Sequence, residues 1–179
     1  KLEVIHQSVN KTNVNIESKK KIITFVGKLN SAKGYDIFAK SIIKILNKYN
    51  DWKALVIGDE PREKIELSHK NLKNLGFTNH NDVLKIFKKS SIAVACSRWE
   101  EPFGRTSLEA SSRGCAVIIS NRGGLPETIT NGVILKKLNS NELFKSIENL
   151  ILDKKKLKEL QIQSLKNFYL TDNNSSSKI

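Results

Sequence analysis

Two apolar runs that each end on a glycine, Ile22-Ile23-Thr24-Phe25-Val26-Gly27 and Ala54-Leu55-Val56-Ile57-Gly58, flank a stretch of a different period. Within it Phe38, Ile42, Ile45, Leu46 and Tyr49 recur at helical spacing from Gly34 to Tyr49, with lysines on the opposite face. Strand, helix, strand with short joints forces the strands to run parallel under a covering helix. The same rhythm continues along the chain. Ser91–Ser97 and Cys115–Ser120 read as strands, and Leu72–Phe77 and Gly132–Leu135 contain shorter ones. Helices are expected from Pro61, whose ring suits a first helical position, over Asp82–Lys89, and over Arg105–Arg113, where Gly114 stops it. Two more are marked by Leu143, Phe144, Ile147, Leu150 and Ile151, and by Leu157, Leu160, Leu165 and Phe168. The fold class is α/β, a Rossmann-like doubly wound parallel sheet with helices on both faces, as one domain over residues 1–170 followed by a polar tail, 171–179.

The 179 residues suit a single core, and 39% hydrophobic content excludes a disordered chain. Apolar runs as short as Ile92–Ala95 are too brief to span a bilayer. No charged segment followed by an apolar one opens the sequence, so a cytoplasmic setting is expected, with peripheral contact at the inner face of a membrane compatible with it. Cys96 and Cys115 lack CxxC spacing and read as buried thiols on strands; His6, His69 and His80 are scattered, so no metal site and no cofactor are expected. The chain contains no Met, not even at residue 1, and is read as a piece of a longer protein.

The net charge is +13. Lysines are spread through almost every segment, which is what a solvated surface looks like, but four of the few arginines, Arg98, Arg105, Arg113 and Arg122, crowd into one stretch. That clustering points to geometric use of the guanidinium fork.

Doubly wound sheets bind ligands at the carboxyl ends of their strands, which here selects the loops 27–34, 58–61, 77–82, 97–106 and 120–125. The first, Gly27-Lys-Leu-Asn-Ser-Ala-Lys-Gly34, leads from a strand into a helix, and its amides with Lys28 and Lys33 could receive a phosphate. It lacks the Gly-Lys-Ser/Thr of a Walker loop, its signal alone is weak, and in isolation it reads better as a glycine-bounded turn with surface lysines.

The segment Ser97-Arg-Trp-Glu-Glu-Pro-Phe-Gly-Arg-Thr-Ser-Leu-Glu-Ala110 is richer. Glu101 precedes the helix, Glu109 lies inside it, Gly104 permits close backbone approach, and the first amides, those of Arg105 and Thr106, are free to face an anion. A carboxylate on either side of an anion site suits a phosphate flanked by hydroxyl-rich groups, since each carboxylate accepts hydroxyl hydrogen bonds. Simpler readings stand beside this one: Glu101 complements the helix dipole, Glu109 pairs with Arg105 or Arg113, and Trp99 and Phe103 are core aromatics.

The string Glu101-Pro-Phe-Gly-Arg-Thr-Ser-Leu-Glu109-Ala resembles the paired-glutamate motif of the group 1 glycosyltransferases, family 4 of the two-domain GT-B fold. Phe25-Val-Gly-Lys-Leu through Lys33-Gly34 is similar to their diphosphate loop, and Leu75-Gly-Phe77 to their base-contacting turn. Asn121-Arg-Gly-Gly-Leu-Pro-Glu127 is similar to their glycine-glycine segment, and Val4-Ile-His-Gln-Ser-Val9 to the hinge before their second domain. The resemblance implies the C-terminal, donor-binding half of such an enzyme, its partner being the N-terminal acceptor domain of the same protein.

It further implies a UDP- or GDP-hexose as the ligand, with Glu109 on the ribose, Glu101 on the donor sugar, and Lys28 and Lys33 on the leaving diphosphate. Gly27 and the backbone near Phe103, Gly104, Arg105 and Thr106 assist, and Phe77 and Thr78 face the base. The family usually has Arg where this chain has Lys28, so a point charge replaces a fork. Pro102 removes one amide, and Arg105 replaces an often apolar residue. The implied reaction is hexosyl transfer with retention, in the synthesis of cell-surface polysaccharide or lipopolysaccharide. A different class stays open on charge alone, a non-catalytic basic module for RNA or anionic membrane; the glutamate pair weighs against it, and nucleic acid is not the expected partner.

Overall fold

The computed structural model describes residues 8–10 and 12–170. Six parallel strands, β1 (Lys20–Val26), β2 (Lys53–Ile57), β3 (Leu72–Asn74), β4 (Ser90–Ala95), β5 (Ala116–Ser120) and β6 (Val133–Leu135), form one sheet. Their order is β3-β2-β1-β4-β5-β6, so the chain reverses its direction of travel between β1 and β4. Around the sheet lie α1 (Tyr35–Lys48), α2 (His80–Lys89), α3 (Arg105–Ser112), α4 (Ser140–Leu152) and α5 (Lys154–Lys166).

Strand residues point alternately to the two faces. Ile92, Val94, Ala116 and Ile118 join one buried cluster with Phe38, Ile42 and Ile45 of α1 and Leu143 and Ile147 of α4. Ala93, Val117 and Ile119 join the other, with Val83 and Phe87 of α2 and Ala110 of α3. The near-continuous apolar strands are thus explained by helices on both faces.

Helix starts fall into two kinds. Asn79, Asn139 and Asp153 cap α2, α4 and α5 by accepting hydrogen bonds from the amides of Asp82, Glu142 and Lys156. By contrast α1 and α3 begin at Gly34 and Gly104, which are left-handed (φ 73° and 93°) and offer no side-chain cap. Both of these starts lie at the carboxyl ends of the strands they follow.

The helix expected from Pro61 is absent: residues 61–63 turn and the chain then runs irregularly to β3. Glu60 accepts from Arg62 and Asn30, and Glu63 from the Ser31 amide, so these side chains tie the segment to the 27–34 loop. Ile65 and Leu67 then pack on the core at an interval of two, which an extended chain satisfies and a helix does not. Cys96 and Cys115 are buried as expected, but each sits just outside its strand, after β4 and before β5. Of the hinge-like segment, residues 4–7 lie outside the described residues, as does the tail 171–179.

Candidate functional site

At the switch between β1 and β4 the sheet opens into a cavity of about 250 Å3. Its floor is Phe25–Gly27 from the end of β1 with Ala95 and Ser97 from the end of β4, and its walls are Lys33, Glu101, the first turn of α3 and Leu125. This is where strand ends splay apart because their connections leave in opposite directions.

Three loops are fastened together to make it. The amides of Arg98 and Trp99 both donate to Ala32 O (2.9 and 3.1 Å), which joins the 97–104 loop to the 27–34 loop. Arg98 also holds Asp36 of α1 through a fork, at 2.5 and 2.8 Å, and this keeps the Asp36 carboxyl below its ordinary range. On the other side Glu100 accepts from the Gly123 amide and Arg122, while the Gly124 amide donates to Glu101 O at 2.7 Å. A side chain at Gly123 would strike Glu101 O at 2.2 Å, so the glycine-glycine segment is what allows this approach.

Lys33 Nζ and Glu101 Oε1 stand 2.5 Å apart in the cavity wall. Beside them α3 presents its uncapped start, with Gly104, Arg105, Thr106 and Ser107 lining the space. Amides at such a terminus carry partial positive charge, and the local field favours an anion.

Glu109 is not in this cavity. It lines a second one of about 260 Å3 between α2 and α3, with Ser8–Asn10, His80, Leu84, Arg105 and Arg113. Its Oε1 accepts from Arg105 Nε at 2.7 Å and from His80 Nε2 at 2.8 Å. Arg105 lines both cavities and is the wall between them. Arg113 is largely buried, with one guanidinium nitrogen donating to Asn10 O at 2.9 Å; burial lowers its pKa.

The structure therefore brings Gly27, Lys33, Glu101, Gly104, Arg105 and Thr106 around one space, and Glu109 into the adjoining one. Lys28 is exposed and lines neither. Phe77 is 83% exposed, on the turn that Gly76 secures to β2 by accepting from the Gly58 amide, and Thr78 is half-buried beside it. Phe103 packs with Val9, Leu108, Phe168 and Leu170, whereas Trp99 is 61% exposed and is no core residue. The contact between Glu109 and Arg105 is the i,i+4 pair that spacing allowed. His80 and Ser97 lie in the selected loops 77–82 and 97–106 but were not singled out as site residues, because neither periodicity nor a motif says which helices and strand ends face one another.

The family model described as "Glycosyl transferases group 1" matches residues 7–166. The chain belongs to this family. Spore coat protein SA of Bacillus subtilis (strain 168) is 33% identical over 126 residues, which is 63% of this chain and 33% of that protein. The chain spans between a quarter and two fifths of the curated relatives it matches, 26% to 39% of their length.

Among solved structures, the C-terminal domain of a group 1 family glycosyl transferase from Francisella tularensis, LpcC, superposes with a TM-score of 0.71. It is 26% identical, over 84% of this chain and 85% of that one. Anabaena Alr3699/HepE in complex with UDP-glucose gives 0.74 at 20% identity, over 89% of this chain and 47% of that one, a likeness of fold. For a group 1 glycosyl transferase the switch-point cavity sits where a Rossmann-like domain receives its ligand, and no helix among the described residues is long and apolar enough to cross a membrane.

Proposed function

We propose that this chain is the donor-binding domain of a glycosyltransferase that takes a nucleoside-diphosphate hexose, and that it works with a preceding acceptor domain of the same protein. The observation that carries the reading is the convergence, in the switch-point cavity, of Lys33, Glu101 and the uncapped start of α3, with Glu109 next door behind Arg105. A diphosphate at the α3 terminus leaves the sugar on the Glu101 side and the ribose on the Glu109 side. That order agrees with the roles the resemblance implies, and the UDP-glucose bound by Alr3699/HepE is a ligand of that class.

In the reaction the bond between the anomeric carbon and the diphosphate oxygen breaks, and a bond from that carbon to an acceptor hydroxyl oxygen forms. The hydroxyl proton passes to the departing phosphate or to solvent. Negative charge builds on the diphosphate, and Lys33 with the amides of Arg105 and Thr106 stabilises it where it develops; Lys28 approaches from the exposed side of its loop. Glu101 orients the sugar through its hydroxyls and is not assigned as a nucleophile. Retention at the anomeric carbon, and a product that is a cell-surface polysaccharide or lipopolysaccharide, complete the proposal.

Calorimetric titration with UDP, GDP and ADP at two salt concentrations tests it. Saturable binding of one of them, lost in Glu109→Ala and only modestly salt-sensitive, is expected. Equal, salt-labile binding of all three would favour a general polyanion surface instead.

A further inference from the structure

Glu109 is a carboxylate with a side chain only 6% exposed, and it does not stand alone. Both of its donors reach the same oxygen: Arg105 Nε from one turn earlier on α3, and His80 Nε2 from the first residue of α2. A carboxylate oxygen can only accept, so the His80 ring carries its proton on Nε2 in this contact. No partner contacts Oε2 among the described residues.

The two donors are not equivalent. The two side chains are similarly exposed, Arg105 at 59% and His80 at 54%, but Arg105 shares the helix with Glu109 and so moves with the carboxylate. His80 belongs to another element, whose start is held by the Asn79 cap. The His80 contact therefore spans the α2–α3 groove and ties the Oε1 end of the carboxylate to both helices. With Oε1 occupied, Oε2 is the atom left to accept from a ligand in the 260 Å3 cavity.

We infer that His80 is a positioning residue that sets selectivity for a ribose over a deoxyribose, by holding Glu109 with one oxygen turned to the ribose hydroxyls. This rests on the proposed ribose role of Glu109 and adds a residue to it. Buried hydrogen-bonding groups discriminate strongly against a ligand that lacks the matching hydroxyl, because the group is then left unpaired. Discrimination of that kind requires the acceptor to be held still. A free Glu109 could turn Oε2 elsewhere and tolerate either sugar.

The test is calorimetric affinity of this chain for the tightest-binding nucleoside diphosphate among UDP, GDP and ADP, and for its 2′-deoxy counterpart. It is measured in the unaltered chain, in His80→Ala and in His80→Gln, whose amide can donate from nearly the same place. The unaltered chain is expected to prefer the ribonucleotide by about tenfold or more, the margin of a hydrogen bond to a charged group. His80→Ala should bring the ratio near one while leaving the deoxynucleotide affinity within about twofold, and His80→Gln should restore most of the preference.

A ratio unchanged in His80→Ala, or an equal loss for both ligands, would overturn the assignment of His80. A lack of ribose preference in the unaltered chain would instead overturn the ribose role of Glu109, and the inference with it.

Discussion

Lys33 Nζ and Glu101 Oε1, 68 residues apart in sequence, meet at 2.5 Å in the wall of the switch-point cavity. In the proposed roles a phosphate takes the place of Glu101 against the lysine, and neutral sugar hydroxyls take the place of Lys33 against the glutamate. On those roles a donor that uses both must come between them and break this ion pair.

Substitution at these two positions should therefore separate binding from transfer. In the full-length enzyme Lys33→Met is expected to lower kcat/KM by roughly 10²-fold, the usual loss when one preorganised charge stabiliser is removed. It should weaken nucleoside diphosphate binding as well. Glu101→Gln should lower transfer while changing affinity for the bare nucleoside diphosphate little, because that ligand has no hexose. Steady-state kinetics and calorimetry read the two effects, and normal turnover in Glu101→Gln would remove the donor-sugar role.

Gly34→Ala should destabilise the domain by about 2 kcal/mol or more, from the left-handed backbone and from overpacking. The added Cβ would lie 1.9 Å from Cys96 O, so α1 or the strand end must move. Thermal denaturation measures it. A fall of less than a degree would mean that the 27–34 loop and the end of β4 are not clamped as described.

Most of the fold was legible because its signals are local. The strands β1, β2, β4 and β5 are short apolar runs with glycine or serine at their ends, and α1 carries a clean helical stripe. The segment after Pro61 misled because proline and charged residues suit a helix start, while what decides its path is remote: Ser31, Asn30 and the core under Ile65 and Leu67. The candidate site divides the same way. Glycines and the two glutamates stand out by type and spacing, whereas Lys28 and Lys33 are singled out among many lysines only by the family resemblance. The division into two cavities around Arg105, and the arrival of His80 at Glu109, depend on how α2 packs beside α3, which no single segment encodes.

The two thiols supply a stability prediction. Burial pushes Cys96 from 9.0 up to about 12, and it raises Cys115 as well. In the unfolded chain both lose their protons near the ordinary value, so between about pH 9 and pH 12 the unfolded state binds fewer protons and stability falls as pH rises. Denaturant midpoints should decline through that window, and Cys96→Ala should show a shallower decline superimposed on its cavity cost. At pH 8 a thiol reagent should label neither cysteine in the folded chain. Rapid labelling without denaturant would contradict their burial.

The most direct measurement is the structure of this chain with its tightest-binding nucleoside diphosphate. The account predicts that the diphosphate rests on the amides of Arg105 and Thr106, that Lys33 has left Glu101 for a phosphate oxygen, and that the ribose hydroxyls reach Glu109 past a displaced Arg105. A nucleotide bound elsewhere, with the Lys33–Glu101 pair intact, would contradict it.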